Sequence, residues 1–549
     1  MKRLYNLHAL QLLGLGLVIT AACFYYWQTI MTLPLFGDAT IHAANTRAVL
    51  NGGWKLLQAD YPGEYNYLQG VLVALLGQVG YKLVPLTGFV FLCVATFLMC
   101  RRVTRNYYVS LLGVVLVACS PKIIVYSAKM YQEVLLSGII IYAIYLLFEY
   151  LNKKNAINLY LLCLMTGTAL SIKQQGLFIL YTSLILFFAI KLLMKQATYR
   201  ELVKIIVIPL VIGLGFYAVL IHNTGLIQPG SNEFAPLQAV NEIGDKILGH
   251  RVVIGDEDPG VNASLNAKLS TIEAQKGPLA NQRAEERHIW PWQVFISYTK
   301  FNEANGLYLT ADGQTAPSVL LEATLFAALL LGIFYAFLKR KKYRDLLIFT
   351  GAFLGLNYLA FIRNNDQQRY QVFLPIFLLV FILLLVTPVI RKIKINPIIA
   401  IVAAIIIPIL IFAPILSSYT AQNTWWSNSQ LYSPSIGGIA SVQQTGSWLY
   451  QHTSSNTLVG QQCGNETAYY ANRQVLGDWR IYFLNLSSLR SYFSQESVDY
   501  YVIYDSQVVP DSQWDNVCWV PQSFVTELNK NYSQVFTSQA GDIHVYKIN

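Results

Sequence analysis

The sequence predicts a polytopic α-helical membrane protein that carries a small soluble α/β domain at its C-terminal end. Three observations carry that prediction: 54% of the 549 residues are hydrophobic, only 12% are charged, and the cations gather in clusters between apolar stretches. A chain this apolar and this poor in charge lies outside the range of soluble domains. The net charge of +10 does not point to a nucleic acid, because the cations sit beside apolar runs, where orientation in a bilayer accounts for them.

The clusters are Lys2 and Arg3; Arg101, Arg102 and Arg105; Lys153 and Lys154; Lys191, Lys195, Arg200 and Lys204; Lys339 to Lys342 with Arg344; and Arg391, Lys392 and Lys394, together nearly half of the 39 Lys and Arg. Short cytoplasmic loops carry the Lys/Arg excess, so these clusters are read as inside and the remaining loops as outside. Apolar stretches at 8–30, 84–100, 106–121, 134–151, 157–172, 176–194, 204–222, 318–338, 345–362, 371–390 and 396–417 give about eleven crossings, each near the length a bilayer needs. The N-terminus is then inside and the C-terminus outside. The first stretch lacks a small-residue cleavage site and reads as a retained span. A full crossing at 67–82 would place Arg101 and Arg102 outside, so that stretch is read as an interfacial or partly inserted helix.

The chain thus divides into a membrane domain over 1–417, with outer loops at 31–67 and 223–317, and an extracytoplasmic domain over 418–549. In the latter, Thr457 to Val459 leading to Gly460 reads as a strand, Leu486 to Phe493 as a helix and Val498 to Tyr504 as a buried strand. Five cysteines lie in or beside apolar stretches. Cys463 and Cys518 lie in the soluble domain, where an oxidising compartment allows a disulfide and a reducing one leaves two thiols. Four Asn-x-Ser/Thr triplets, at Asn262, Asn465, Asn485 and Asn531, fall outside by this topology.

Polar residues that chemistry can use collect in the outer loops. GDATIHAANTRAVLNGG follows the first span, with Asp38 and His42 four apart on one face of an amphipathic helix. A carboxylate at the membrane surface can serve as a general base, and it can equally be an N-cap. In YPGEYNYLQGVLVALL, Tyr65 and Tyr67 suit either a substrate or an interfacial aromatic belt. SPKIIVYSAKMYQEVLLSG places Lys129 and Glu133 four apart at the head of a span, where the acid needs a partner and Lys129 can supply it. Lys173, in GTALSIKQQGLFIL between two apolar halves, belongs at the outer surface or in a wet cavity, since a charge deep in the bilayer costs about 2.5 kcal/mol or more. FIRNNDQQRYQVFLPIF crowds Arg363, Asp366 and Arg369 into a short outer loop, against the inside-positive tendency. Guanidinium groups there fit a phosphate, or form a network with Asp366.

Taken in order, these motifs resemble those of the C-type membrane glycosyltransferases, the protein O-mannosyltransferase and lipid A aminoarabinose transferase group in particular, and RYQVFLPIF is similar to that family's Arg-x-x-x-x-Leu-Pro pattern. The likeness covers roughly residues 8–417. It implies an integral protein of the plasma (inner) membrane that moves a sugar, hexosyl or pentosyl, from a polyprenyl-phosphate donor to an acceptor hydroxyl on a glycan, lipid or protein. The transfer is implied to be inverting and extracytoplasmic. By position, Asp38 and Glu133 become the catalytic acids, Arg369, Lys173, Arg363 and Lys129 the donor-phosphate residues, and His42, Tyr65 and Tyr370 substrate-binding residues. Many relatives have an Asp-Glu pair in the first loop, where Ala39 here follows Asp38. No cofactor is implied with certainty; a divalent metal on Asp38, His42 and Glu133 stays open, since no ligand spacing is diagnostic. The alternative class is a multi-span transporter or flippase, which calls for broken helices at the midplane and often an internal repeat.

Overall fold

The structure is a computed structural model that describes residues 11–24, 38–50, 64–77, 79–120, 132–173, 176–224, 316–364, 373–392, 398–406, 438–461, 466–476, 486–504 and 522–549, with single positions 27, 123, 127, 409 and 410. Helix α1 is Gln11–Phe24. It is followed by α2 (Asp38–Leu50), α3 (Glu64–Leu76), α4 (Val79–Thr104), α5 (Tyr107–Ala118), α6 (Glu133–Lys153) and α7 (Ala156–Ile172). A π-helical turn, Gly176–Tyr181, leads into α8 (Thr182–Leu193), then α9 (Tyr199–Thr224), α10 (Ala316–Leu338), α11 (Arg340–Asn364) and α12 (Phe373–Lys392). Among the described residues, α4, α6 and α12 are each long and apolar enough to cross a bilayer, and α1, α3, α5, α7, α8 and α10 supply shorter apolar stretches.

Helix α3 stops at Leu76 and Val79 begins α4, so the apolar stretch at 67–82 is split between two helices and does not form one. The break falls at Gly77, whose φ of +66° suits a residue without a side chain.

Helices α4 and α6 pack closest where each presents a glycine. A Cβ on Gly88 would lie 2.9 Å from the Leu135 Cα, and one on Gly138 would lie 2.9 Å from Phe91 and 3.1 Å from the Leu92 nitrogen. Close approach at small residues is how helices gain packing where lipid offers no hydrophobic drive. Deeper in the bundle, Phe349 stacks on Phe353 and meets Phe148, Phe187 and Phe377 edge-on.

One end of the bundle is finished by a repeated device. After α4, Arg105 takes a left-handed φ of +53° and Asn106 caps α5, accepting from the Tyr108 and Val109 amides at 2.9 and 3.2 Å. After α6, Lys154 takes φ +52° and Asn155 caps α7, accepting from the Ile157 amide at 3.0 Å. Asparagine at an N-cap is worth about 1 kcal/mol, and each pair turns the chain sharply into the next helix. Both corners hold a cation where glycine would be conformationally easier.

Among the described residues, the C-terminal region forms a five-stranded sheet in the order β2-β1-β3-β5-β4. Its strands are β1 (Leu458–Gln461), β2 (Gln474–Leu476), β3 (Tyr500–Tyr504), β4 (Ser533–Thr537) and β5 (Ile543–Lys547). Strand β1 pairs in parallel with β2 and β3, and β5 runs antiparallel to β3 and β4. Along β3 the side chains alternate between faces. Tyr501 and Ile503 join Leu489, Phe493 and Leu528 from helices Leu486–Glu496 and Gln522–Asn531. Val502 and Tyr504 join Val442, Leu449 and Ala468 from helices Gly438–His452 and Glu466–Ala471.

Candidate functional site

Helix α2 is the piece that joins bundle to sheet. It packs on α3 along one side and on helix Glu466–Ala471 and strand β2 along another. His42, Ala43, Asn45, Thr46, Arg47 and Ala48 are all buried, so α2 is covered on more of its circumference than the expected amphipathic helix would be. Protein covers α2 on several sides, and Thr46 and Arg47 are met by side chains in place of water. The Thr46 hydroxyl donates to Gln69 Oε1 at 2.8 Å, Gln69 Nε2 donates to the Tyr81 carbonyl at 2.9 Å, and Arg47 Nε donates to the Tyr81 hydroxyl at 3.2 Å. Tyr81 in turn meets Tyr469 of the sheet domain edge-on at 5.5 Å. Arg47, in the last turn of α2, also profits from the helix dipole.

Two helix ends converge beside α2 and α3. Glu133 is the first residue of α6, and its side chain is 4% exposed. Lys173 caps α7 in an extended conformation (φ −159°, ψ 150°). The chain then turns back so tightly that a Cβ on Gly176 would lie 2.2 Å from the Ala169 carbonyl oxygen. The Lys173 Nζ lies 2.5 Å from Glu133 Oε1, with only 11% of the lysine side chain exposed. The bundle thus answers how a lysine sits between two apolar segments: it is neutralised by a carboxylate 40 positions away.

Tyr65, fully buried on α3, packs against α2, its ring 4.9 Å from that of His42. Burial first, and the Glu133 carboxylate second, push the Tyr65 phenol above its ordinary range. The phenol therefore stays a neutral hydrogen-bond donor. Next in sequence to these residues stand two amides, Asn66 and Gln132, each 1% exposed. Among the described residues, neither Nδ2 nor Oδ1 of Asn66, nor Nε2 nor Oε1 of Gln132, has a hydrogen-bond partner. Leaving such groups unmet costs about 1 to 3 kcal/mol each, so these are places where an incoming polar molecule or water gains most.

Of the residues singled out in the sequence, the structure brings His42, Tyr65, Glu133 and Lys173 into one cluster. Asp38 is the first residue of α2, one helical turn before His42, and Arg363 lies in the last turn of α11; their side chains are outside the described residues. Lys129, Arg369, Tyr370, Cys463 and Cys518 are likewise outside them. Among the described residues no three of His, Cys, Asp and Glu come together as metal ligands. Sequence reading passed over Asn66, Gln132, Gln69 and Tyr81. A signal existed for the first two, since each is an amide adjoining a candidate residue at the head of an apolar run. Gln69 and Tyr81 gave none, because their roles depend on how α2 docks.

No protein-family model matches this sequence, and no curated protein matches it. Solved structures do. A crystal structure of ArnT from Cupriavidus metallidurans bound to undecaprenyl phosphate matches with a TM-score of 0.56 at 11% identity, covering 97% of this chain and 98% of that one. The apo structure of the same protein matches with a TM-score of 0.56 at 12% identity, covering 97% of each chain. At such identities the likeness is one of fold. The sequence motifs anticipated a fold of this kind by their order, and over nearly its whole length this chain is similar in fold to ArnT.

Proposed function

We propose that this protein is a membrane glycosyltransferase that moves a sugar from a polyprenyl-phosphate-linked donor to an acceptor hydroxyl on the extracytoplasmic face. The observation that carries the reading is the buried Glu133–Lys173 pair with two unsatisfied amides next to it, at the end of the bundle that meets the sheet domain. A fold similar to that of ArnT, one structure of which holds undecaprenyl phosphate, supports a lipid-borne donor. The polyprenyl tail stays in lipid while its phosphate and sugar are handled where the helices end.

The chemistry follows from the charges. The acceptor oxygen attacks the anomeric carbon as its proton passes to a carboxylate, the role assigned to Asp38. The bond from that carbon to the phosphate oxygen breaks, and single displacement inverts the centre. The donor phosphate is a diester with one negative charge, whereas the leaving polyprenyl phosphate is a monoester with about −1.5 to −2. A cation near the leaving oxygen therefore binds the transition state more tightly than the ground state. Arg369 and Lys173 have that role, with Arg363 and Lys129 beside them. Glu133 holds Lys173 in place before the donor arrives. Tyr65 and His42, with Tyr370, line the sugar, and Asn66 and Gln132 exchange hydrogen bonds with its hydroxyls.

The test is transfer from a synthetic polyprenyl-phosphate sugar by the purified chain and by Asp38→Asn. Loss of transfer with folding intact supports the reading, and undiminished turnover in the variant eliminates the assigned base.

A further inference from the structure

At the end of the bundle away from Glu133, a second cluster has no part in that chemistry. A cavity of about 240 Å³ opens between the C-terminal ends of α4 and α6 and the start of α11, lined by Arg102, Arg105, Asn152, Lys342, Tyr343 and Asp345 among others. Glu149, nearby on α6, lies 16 residues beyond Glu133, about 24 Å along a helix at 1.5 Å per residue.

The charges around it do not cancel. Asp345 is already engaged by Lys191 Nζ at 2.7 Å and lies 3.7 Å from Arg344 Nε. Glu149 is held by Lys153 at 2.5 Å and by Arg102 at 2.9 Å. Arg102 Nη2 also donates to the Phe148 carbonyl at 3.2 Å. Arg105 and Lys342 touch no carboxylate among the described residues; Lys342 rests over the Tyr343 ring at 4.9 Å. Arg105 also keeps its left-handed φ of +53°, where a glycine would sit with less strain. The cavity is thus walled by two cations that meet no carboxylate among the described residues, by the Arg102 guanidinium and by the Asn152 amide.

We infer that this cavity binds a phosphate ester, and that its source is the headgroup of an anionic phospholipid. Guanidinium and ammonium groups with an amide are the donors that phosphate oxygens take. The clusters Arg101 to Arg105, Lys153 to Lys154 and Lys339 to Arg344, read from the sequence as cytoplasmic, put the opening at the level of lipid headgroups. Basic pockets between spans on that side suit such headgroups, each nearby cation adding to the attraction.

The experiment uses the purified full-length chain in neutral detergent. Native mass spectrometry follows phosphatidylglycerol against phosphatidylcholine, each with and without added inorganic phosphate, for three proteins. These are the wild type, the double variant Arg105→Gln/Lys342→Gln, and a charge-matched control, Lys339→Gln/Lys341→Gln, whose residues do not line the cavity. The expected result is retention of phosphatidylglycerol over phosphatidylcholine by the wild type and the control, weakened about tenfold or more in the cavity variant. Retention that millimolar inorganic phosphate leaves unchanged assigns the lipid as the source. Displacement by inorganic phosphate, lost in the cavity variant alone, keeps the phosphate site and assigns a soluble ester. Equal weakening in both double variants, or no preference for phosphatidylglycerol in the wild type, overturns the proposal.

Discussion

Lys173 and Glu133 form an ion pair of 2.5 Å across two helix ends, with 11% and 4% of their side chains exposed. Such a pair is costly to halve and cheap to replace. Glu133→Gln takes a carboxylate away from a buried ammonium and is expected to cost about 3 to 5 kcal/mol. The double variant Glu133→Leu/Lys173→Met is expected to regain most of that while transfer stays lost. Thermal unfolding beside a transfer assay checks both. Equal destabilisation in the single and double variants would mean that the pair is not coupled.

The amides Asn66 and Gln132 lead to the opposite pattern. Each is buried with both polar atoms unmet, so Gln132→Leu and Asn66→Leu are expected to leave the ligand-free protein as stable as the wild type, or up to about 1 to 3 kcal/mol more so. Transfer should nevertheless suffer, with KM for the donor raised about tenfold or more once hydroxyl partners are removed. Stability loss with unchanged KM would assign the amides to packing.

Tyr81 and Tyr469 tie the bundle to the sheet domain. In a double-mutant cycle with alanine at both positions, the coupling energy is expected near 1 kcal/mol, in the range for an edge-on aromatic pair. Either single variant should also slow transfer, because α2 carries Asp38 and Arg47 anchors that helix on the Tyr81 hydroxyl. Normal transfer in the alanine variants would show that α2 holds its place without the sheet domain.

The same tyrosine gives a pH dependence of known sign. Burial, with smaller additions from Tyr81 and Tyr470, raises the Tyr469 phenol above its ordinary range. Above pH of about 10 the unfolded chain loses this proton before the folded one does, so the phenol's contribution to stability falls as pH rises. Tyr469→Phe removes the ionising group. Its stability is expected to decline less steeply between pH 10 and 11, by up to about 1.4 kcal/mol per pH unit. Identical slopes in denaturant unfolding would contradict the assignment.

Helix positions were legible in the sequence because hydrophobic runs and basic corners follow from the bilayer alone. The stretch expected at 134–151 is Glu133–Lys153, and that at 157–172 is Ala156–Ile172. Two strands and a helix of the sheet domain were legible for a similar reason: Leu458–Gln461 and Tyr500–Tyr504 are buried β-rich runs, and Leu486–Glu496 follows a helical period. The edge strand Ser533–Thr537 is mostly exposed and mixed in composition, so no period marked it. The partner of Lys173 was hidden as well. A local reading offers Lys129 for Glu133 at four residues, and Lys129 lies outside the described residues; the fold brings to Glu133 a lysine 40 positions on, a contact that no local pattern marks. Likewise α2 reads as an amphipathic helix, and its contact with the sheet domain is visible only in the fold.

The glycines at the contact between α4 and α6 give the last prediction. A Cβ at Gly88 meets the Leu135 backbone, with Cα at 2.9 Å and nitrogen at 3.1 Å, so no side-chain rotation relieves it and a helix must move. Gly88→Ala is therefore expected to cost about 1 to 3 kcal/mol, as overpacking does, although alanine favours a helix more than glycine. Leu135 lies two residues after Glu133, so the displacement reaches the carboxylate and lengthens its contact with Lys173. Transfer per folded molecule should fall together with stability. Gly16, where a Cβ has no neighbour within 4 Å, is the control: Gly16→Ala should change neither. A Gly88→Ala protein with wild-type melting and wild-type turnover would show that the two helices can separate without disturbing the pair.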